Sequence, residues 1–205
     1  MKLFVGLVTL AATVMGQELC DKYDSARSPP YSVNNNLWEE YQGTGSQCVY
    51  IDSLSSAGAS WHTTWTWNGG KGTVKSYSNS GVDFEKKLVN DVRSIPTGVE
   101  WTLARYGTIQ PIGKQINMTT VGGRSWEVWY GTSIQAGAEQ KTYSFVPVNP
   151  INNYKGDLKA FFDYLSSTQS FPSATKYLIN LQFGTEPFTG GPAKFTVSNW
   201  TASVY

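Results

Sequence analysis

The sequence predicts an all-β sandwich with a single helix, and three observations support that prediction. Short runs of alternating apolar and polar residues recur between turn signals, the pattern of a sandwich or barrel. The composition, with 8 Trp, 12 Tyr and 20 Gly among 205 residues and only 15% charged side chains, suits strands whose aromatic rings fill a core or stack on flat ligands. One stretch alone has helical spacing: Leu158, Phe161, Phe162 and Leu165 fall at i, i+3, i+4 and i+7 after Gly156-Asp157.

Along the chain, Met1-Lys2, an apolar run over 3–15 and the small Gly16 read as a secretory leader over residues 1–16, leaving 17–205 as one domain. The apolar run is too short to span a bilayer, so a secreted, extracellular protein is expected. The only two cysteines, Cys20 and Cys48, most simply form one disulfide in an oxidising compartment, with two free thiols as the alternative. In the strand expected over 31–38, Asn34, Asn36 and Trp38 share a side opposite Val33 and Leu37, which makes Trp38 a stacking platform. Over 60–67, Trp61, Trp65 and Trp67 share a side that reads as core, while His62, Thr64 and Thr66 share one that reads as groove. His62 is either a structural hydrogen-bonder or a ligand contact.

Asn68-Gly69-Gly70 reads as a hairpin turn closing that strand, as does Gly122-Gly123 before a strand over 125–130. Over 74–79, Lys75, Tyr77 and Asn79 alternate with Val74, Ser76 and Ser78, and either side can face a ligand. Asn117-Met118-Thr119 and Asn199-Trp200-Thr201 place N-glycosylation acceptors at Asn117 and Asn199. A formal charge of +1 speaks against a nucleic-acid or acidic-lipid surface and leaves neutral polymers as partners of an expected monomer. No metal-ligand cluster or phosphate loop stands out, so no metal or cofactor is expected.

The last strand carries the chemistry. Read as one strand over 177–186, Ile179, Leu181 and Phe183 face the core, and Asn180, Gln182 and Glu186 form a polar row. Amides hold sugar hydroxyls, and a carboxylic acid at the end of such a row can protonate a glycosidic oxygen. Glycoside hydrolysis normally needs a second carboxylate.

The segment 182–190, Gln-Phe-Gly-Thr-Glu-Pro-Phe-Thr-Gly, occurs together with Asn35-Asn36-Leu37-Trp38, the 60–67 and 74–79 strands, Leu103-Ala104-Arg105-Tyr106-Gly107 and Asn199-Trp200-Thr201-Ala202-Ser203. In this combination and order the chain resembles the fungal members of glycoside hydrolase family 12, which are secreted endo-β-1,4-glucanases and xyloglucan-specific endoglucanases. The resemblance implies a β-jelly roll of two antiparallel sheets with the helix on the convex side and β-glucan or xyloglucan in a concave groove. It also implies that Asn36, Trp38, His62 and Gln182 line the sugar subsites, and that Glu186 is the acid/base of a retaining mechanism whose nucleophile stands roughly 5 Å away.

That nucleophile has no counterpart. In relatives, Leu-Ala-Arg-Tyr-Gly follows a strand ending Glu-Leu-Met-Ile-Trp, whose Glu attacks the anomeric carbon, and an earlier Tyr-Asp-Leu-Phe strand supports it. Here residues 94–101 run directly into Thr102, the position matching the nucleophile is Gly98, and no Tyr-Asp-Leu-Phe occurs. A block of about two strands is therefore expected to be deleted near Trp101 and Thr102. Glu100, on the same strand face as Gly98, is the best substitute nucleophile, against the plainer reading of an ordinary solvated side chain. Three readings follow: an endoglucanase of weak activity, a catalytically silent glucan-binding protein or decoy, and a mis-spliced, unstable product.

Overall fold

The computed structural model describes residues 13–103, 111–135 and 137–205. Its strands in chain order are β1 (Glu18–Leu19), β2 (Ser25–Ser28), β3 (Tyr31–Asn34), β4 (Thr44–Ser55), β5 (Gly58–Asn68), β6 (Ser78–Val82), β7 (Lys87–Leu88), β8 (Pro96–Leu103), β9 (Lys114–Val121), β10 (Arg124–Gln135), β11 (Ala138–Pro147), β12 (Asn153–Asp157), β13 (Tyr177–Leu178), β14 (Gln182–Thr185) and β15 (Gly190–Ala202), with one helix, α1 (Lys159–Thr168). The expected leader falls largely outside the described residues, as do Ala104 to Gly107 of the Leu-Ala-Arg-Tyr-Gly motif. Among the described residues no helix is long and apolar enough to cross a membrane. The chain divides into two units, one ending at Asp83 and resuming over Asn180–Thr201, the other comprising Phe84–Ile179 and Ala202–Tyr205.

The first unit is an antiparallel sandwich. One sheet runs β1-β4-β5-β15 and the other β14-β6-β3-β2. Alternation along each strand sorts side chains between the sandwich interior and the outside. Val49, Ile51, Trp61, Phe195 and Val197 from one sheet meet Tyr31 and Val33 from the other, all of them buried. Their rings interlock edge to face: Trp61 with Phe195 at 5.8 Å and Tyr31 with Trp200 at 5.5 Å. The expected tryptophan face is the core face, with Trp61 and Trp67 buried and Trp65 half-buried. Cys20 and Cys48 form the expected disulfide, which ties the segment after β1 to β4.

Three expectations about this region are corrected. The strand over 31–38 ends at Asn34, because Asn36 takes a left-handed backbone (φ 52°) and breaks the alternation. Asn68-Gly69-Gly70 is not a hairpin turn: both glycines have positive φ, but the chain leaves β5 for β6 in the opposite sheet. The run 177–186 is two strands, because β13 pairs with β7 whereas β14 pairs with β6. Between them the chain changes partners, and Ile179, expected in the core, is 73% exposed.

In the second unit β9, β10 and β11 form an antiparallel sheet, β8 pairs with β12, and β7 pairs with β13. Gly122-Gly123 makes the predicted hairpin between β9 and β10, both glycines at positive φ. Helix α1 begins where Asp157 Oδ1 accepts from the Lys159 and Ile95 N–H groups at 2.9 and 2.6 Å. It packs as its spacing predicts, with Leu165 buried and Phe161 edge-on to Trp126 and Phe145 at 5.1 and 4.8 Å. Replacing Trp61 by Ala should destabilise the chain by about 3–5 kcal/mol, seen as a lower denaturant midpoint. An unchanged midpoint would contradict the assigned core.

Candidate functional site

On the second sheet of the first unit, Val33, Ser80 and Phe183 point inward and Asn34, Asn79 and Gln182 point outward. The inward direction is shown by Phe183, whose ring lies 6.1 Å from that of Phe195, and by Ser78, which accepts from the buried Gln47 amide. The outward face carries a row of amides, of which Asn79 is itself buried at 1% exposure. Asn34 Nδ2 donates to Asn79 Oδ1 at 3.1 Å, and Asn79 Nδ2 donates to the Tyr77 carbonyl at 2.6 Å. Gln182 sits opposite Gly81 and is exposed.

Glycine at 184 sets how close β14 lies. A Cβ there would stand 2.1 Å from the Ser78 carbonyl, so only glycine allows this approach. Glu186 follows one residue beyond the strand. Its surface remains open to solvent, yet the surrounding protein restricts its solvation, and that desolvation alone raises its pKa above the ordinary glutamate value. Tyr77 is its electrostatic neighbour: burial first, and the Glu186 charge second, push the phenol up to about 12. A carboxyl whose proton affinity is raised in this way is suited to donate a proton.

Asn36 and Trp38 border this face. The Asn36 carbonyl accepts from the Tyr77 N–H at 3.0 Å, and the residue after Trp38, Glu39, donates its N–H to the Lys75 carbonyl at 3.2 Å. Trp38 is 41% exposed while Leu37 is buried, an arrangement that leaves an indole face for stacking.

The structure does not bring His62 to this face, which corrects its placement in the groove. Even-numbered positions of β5 point away from the sandwich on the opposite sheet, where His62 Nδ1 meets both Asp52 carboxylate oxygens at 3.0 Å and its ring stacks on Tyr50 at 4.9 Å. These contacts fit the structural hydrogen-bonder of the two readings. Glu100 belongs to the second unit, where it is exposed on β8 and accepts from the Asn153 amide at 2.7 Å across the β8–β12 ladder. Glu127, also in the second unit, accepts from the Trp129 indole at 3.0 Å.

Four further carboxylates of the first unit have local duties. Asp24 accepts from the N–H groups of Cys20 and Asp21, Glu39 accepts from the Gln42 amide, and Glu40 and Asp83 pair with Lys22 and Arg27. Asn117 donates its amide to the Tyr164 hydroxyl at 2.9 Å, whereas Asn199 is exposed at a bulge with φ 54°. Sequence reasoning left Tyr77 and Asn79 unassigned. The signal was the serine alternation at 76, 78 and 80, small residues that face inward and leave 77 and 79 outward.

Comparison with known proteins places this arrangement. The family model described as Glycosyl hydrolase family 12 matches residues 29–104 and 102–205, two stretches that meet at 102–104. The chain is 62% identical over 238 aligned positions to Endoglucanase A of Aspergillus kawachii, covering all of both chains. It is 35% identical to Xyloglucan-specific endo-beta-1,4-glucanase 1 of Phytophthora sojae, covering 98% of each, and 34% identical to Inactive glycoside hydrolase XLP1 of Phytophthora nicotianae, covering all of both. The crystal structure of Trichoderma harzianum Endoglucanase 3 matches with a TM-score of 0.85 at 34% identity, covering 93% of this chain and 98% of that one, which bears out the expected β-jelly roll. An alignment of 238 positions against 205 residues leaves at least 33 positions of Endoglucanase A without a counterpart here.

The raised pKa has a signed consequence. A carboxyl that binds its proton more tightly when folded contributes stability fully below its unfolded pKa and loses it as pH rises through the folded one. Measured against Glu186→Gln, the parent chain should lose relative stability over that rise. Parallel stability curves for the two would contradict the desolvated carboxyl.

Proposed function

The chain belongs to glycosyl hydrolase family 12, and from that membership we propose that it is a secreted protein that binds β-1,4-glucan or xyloglucan, keeps the family's proton donor as Glu186, and lacks its nucleophile. The observation that carries the proposal is the pairing of an intact acid site with a broken family match. Glu186 stands desolvated beside Tyr77 and the amide row, while the match divides at 102–104 and at least 33 aligned positions of a close relative are missing.

A retaining reaction needs two carboxylates: one attacks the anomeric carbon, and the other protonates the leaving oxygen and then activates water. Glu186 fits the second role because desolvation raises its proton affinity above that of an ordinary glutamate. Gly98 stands at the nucleophile's matching position, and Glu100 is engaged with Asn153. With no attacking carboxylate the covalent step is lost and sugar binding remains, with Trp38 as platform and Asn36 and Gln182 as hydroxyl partners. The substrate class is supported by the relatives named as an endoglucanase and a xyloglucan-specific glucanase. A relative named as an inactive glycoside hydrolase supports the silent, binding or decoy reading.

Purified chain should release reducing sugar from xyloglucan or soluble β-glucan at least about a thousandfold more slowly than Endoglucanase A, yet be retarded by the same polymer in affinity electrophoresis. Trp38→Ala should weaken that retardation. Turnover like that of the relative, abolished by Glu100→Gln, would replace this reading with an active enzyme using Glu100. Aggregation without binding would replace it with a defective product whose unpaired strand edges associate.

A further inference from the structure

We propose that Lys75 is the positioning residue for Glu186, its buried ammonium locking the bend that follows the acid. The inference rests on Glu186 being the proton donor of this site. Lys75 is fully buried, at 0% exposure. Its Nζ donates to the carbonyls of Gly70, Thr73 and Phe188 at 2.6, 2.7 and 2.8 Å, which uses all three ammonium donors. Its backbone N–H donates to the Pro187 carbonyl at 2.9 Å. Two of these four bonds therefore end on the two residues directly after Glu186.

Among the described residues that bend has few other hydrogen bonds, although Pro187 is buried. It lies between β14 and β15, outside any ladder, and Pro187 has no N–H to give. Thr189 adds one further tie, from its hydroxyl to the Trp67 carbonyl at 3.0 Å. The enclosure is built around the lysine. A Cβ at Gly43 would lie 2.6 Å from Lys75 Cε and 2.7 Å from the Asn68 carbonyl oxygen, and one at Gly70 would lie 2.1 Å from the Gln42 carbonyl oxygen and 2.8 Å from Nζ, so both positions are tight against backbone as well as against the lysine. A buried ammonium is costly unless it is fully hydrogen-bonded. Here the bonds that satisfy it join the 70–75 loop, which leads into Tyr77, to the segment next to the acid. Lys75 thus sets the distance between Glu186 and Tyr77 while its own charge is satisfied by backbone carbonyls.

The test is the titration of Glu186 followed by carbon NMR in chain labelled at the glutamate carboxyl carbons, assigned with Glu186→Gln. In Lys75→Met the bend is released and the carboxyl gains water, so its midpoint should fall toward the ordinary glutamate value while the core tryptophan signals stay in place. Lys75→Arg keeps a buried cation but cannot converge three donors from one atom, so its midpoint should also fall, and it decides the matter if the Met variant does not fold. A folded variant of either kind with the parent midpoint would overturn the proposal. The outcome is independent of the acid role. A fallen midpoint in a chain that turns over glucan at a rate like that of Endoglucanase A, and keeps that rate in Glu186→Gln, would keep the clamp and discard Glu186 as proton donor.

Discussion

The close approach of β14 to β6 is the constraint on which the site depends. With no side chain at Gly184, the two backbones pair from Gln182 to Thr185 against Gly81 to Ser78, and the pleat then settles everything nearby. Phe183 goes inward to Phe195, Gln182 goes outward to the amide row, and the chain leaves the strand with Glu186 beside Tyr77. A side chain at 184 would part the strands and loosen both consequences together, because one register serves the core and the polar face at once.

Solvation is what gives Glu186 a chemistry. The amide row offers hydrogen bonds to hydroxyls, but an ordinary exposed carboxylate at its end would be ionised and useless as an acid. Partial withdrawal from water raises the proton affinity of the carboxyl without any charged partner. A nucleophile needs the opposite treatment, an environment that keeps it ionised. The two roles call for two differently surrounded carboxylates, and Glu186 has the surroundings of the acid. In the proposed reading, loss of the other would separate recognition of a glucan from its cleavage, since stacking and amide contacts do not depend on the attacking group.

Much of this was legible in the sequence where one local pattern governed. The tryptophan face of β5, the spacing of α1, the Gly122-Gly123 hairpin and the paired cysteines all follow from period, backbone freedom or count. The sequence was less legible where tertiary partners decided. Alternation assumes an unbroken strand, so it could not register the left-handed backbone at Asn36 or the change of partner over 179–181. Ile179, apolar and in phase, is exposed for that reason. His62 was placed on the correct face of its own strand, away from the tryptophans. Which of the two sheets carries the groove is a matter of topology, and no period in the sequence encodes it. Lys75 gave no signal at all, because its three acceptors are backbone carbonyls and one of them lies 113 residues away.

The central claim, an acid without a nucleophile, is most directly tested by covalent trapping. A 2-deoxy-2-fluoro β-cellobioside with a dinitrophenolate leaving group transfers its glycosyl unit to the attacking carboxylate of a retaining glycosidase, and the slowed intermediate persists long enough for intact-mass spectrometry. This chain should keep its unmodified mass under conditions that fully label Endoglucanase A of Aspergillus kawachii. A single added glycosyl mass, mapped to any glutamate or aspartate of this chain, would contradict the account and identify the nucleophile it says is missing.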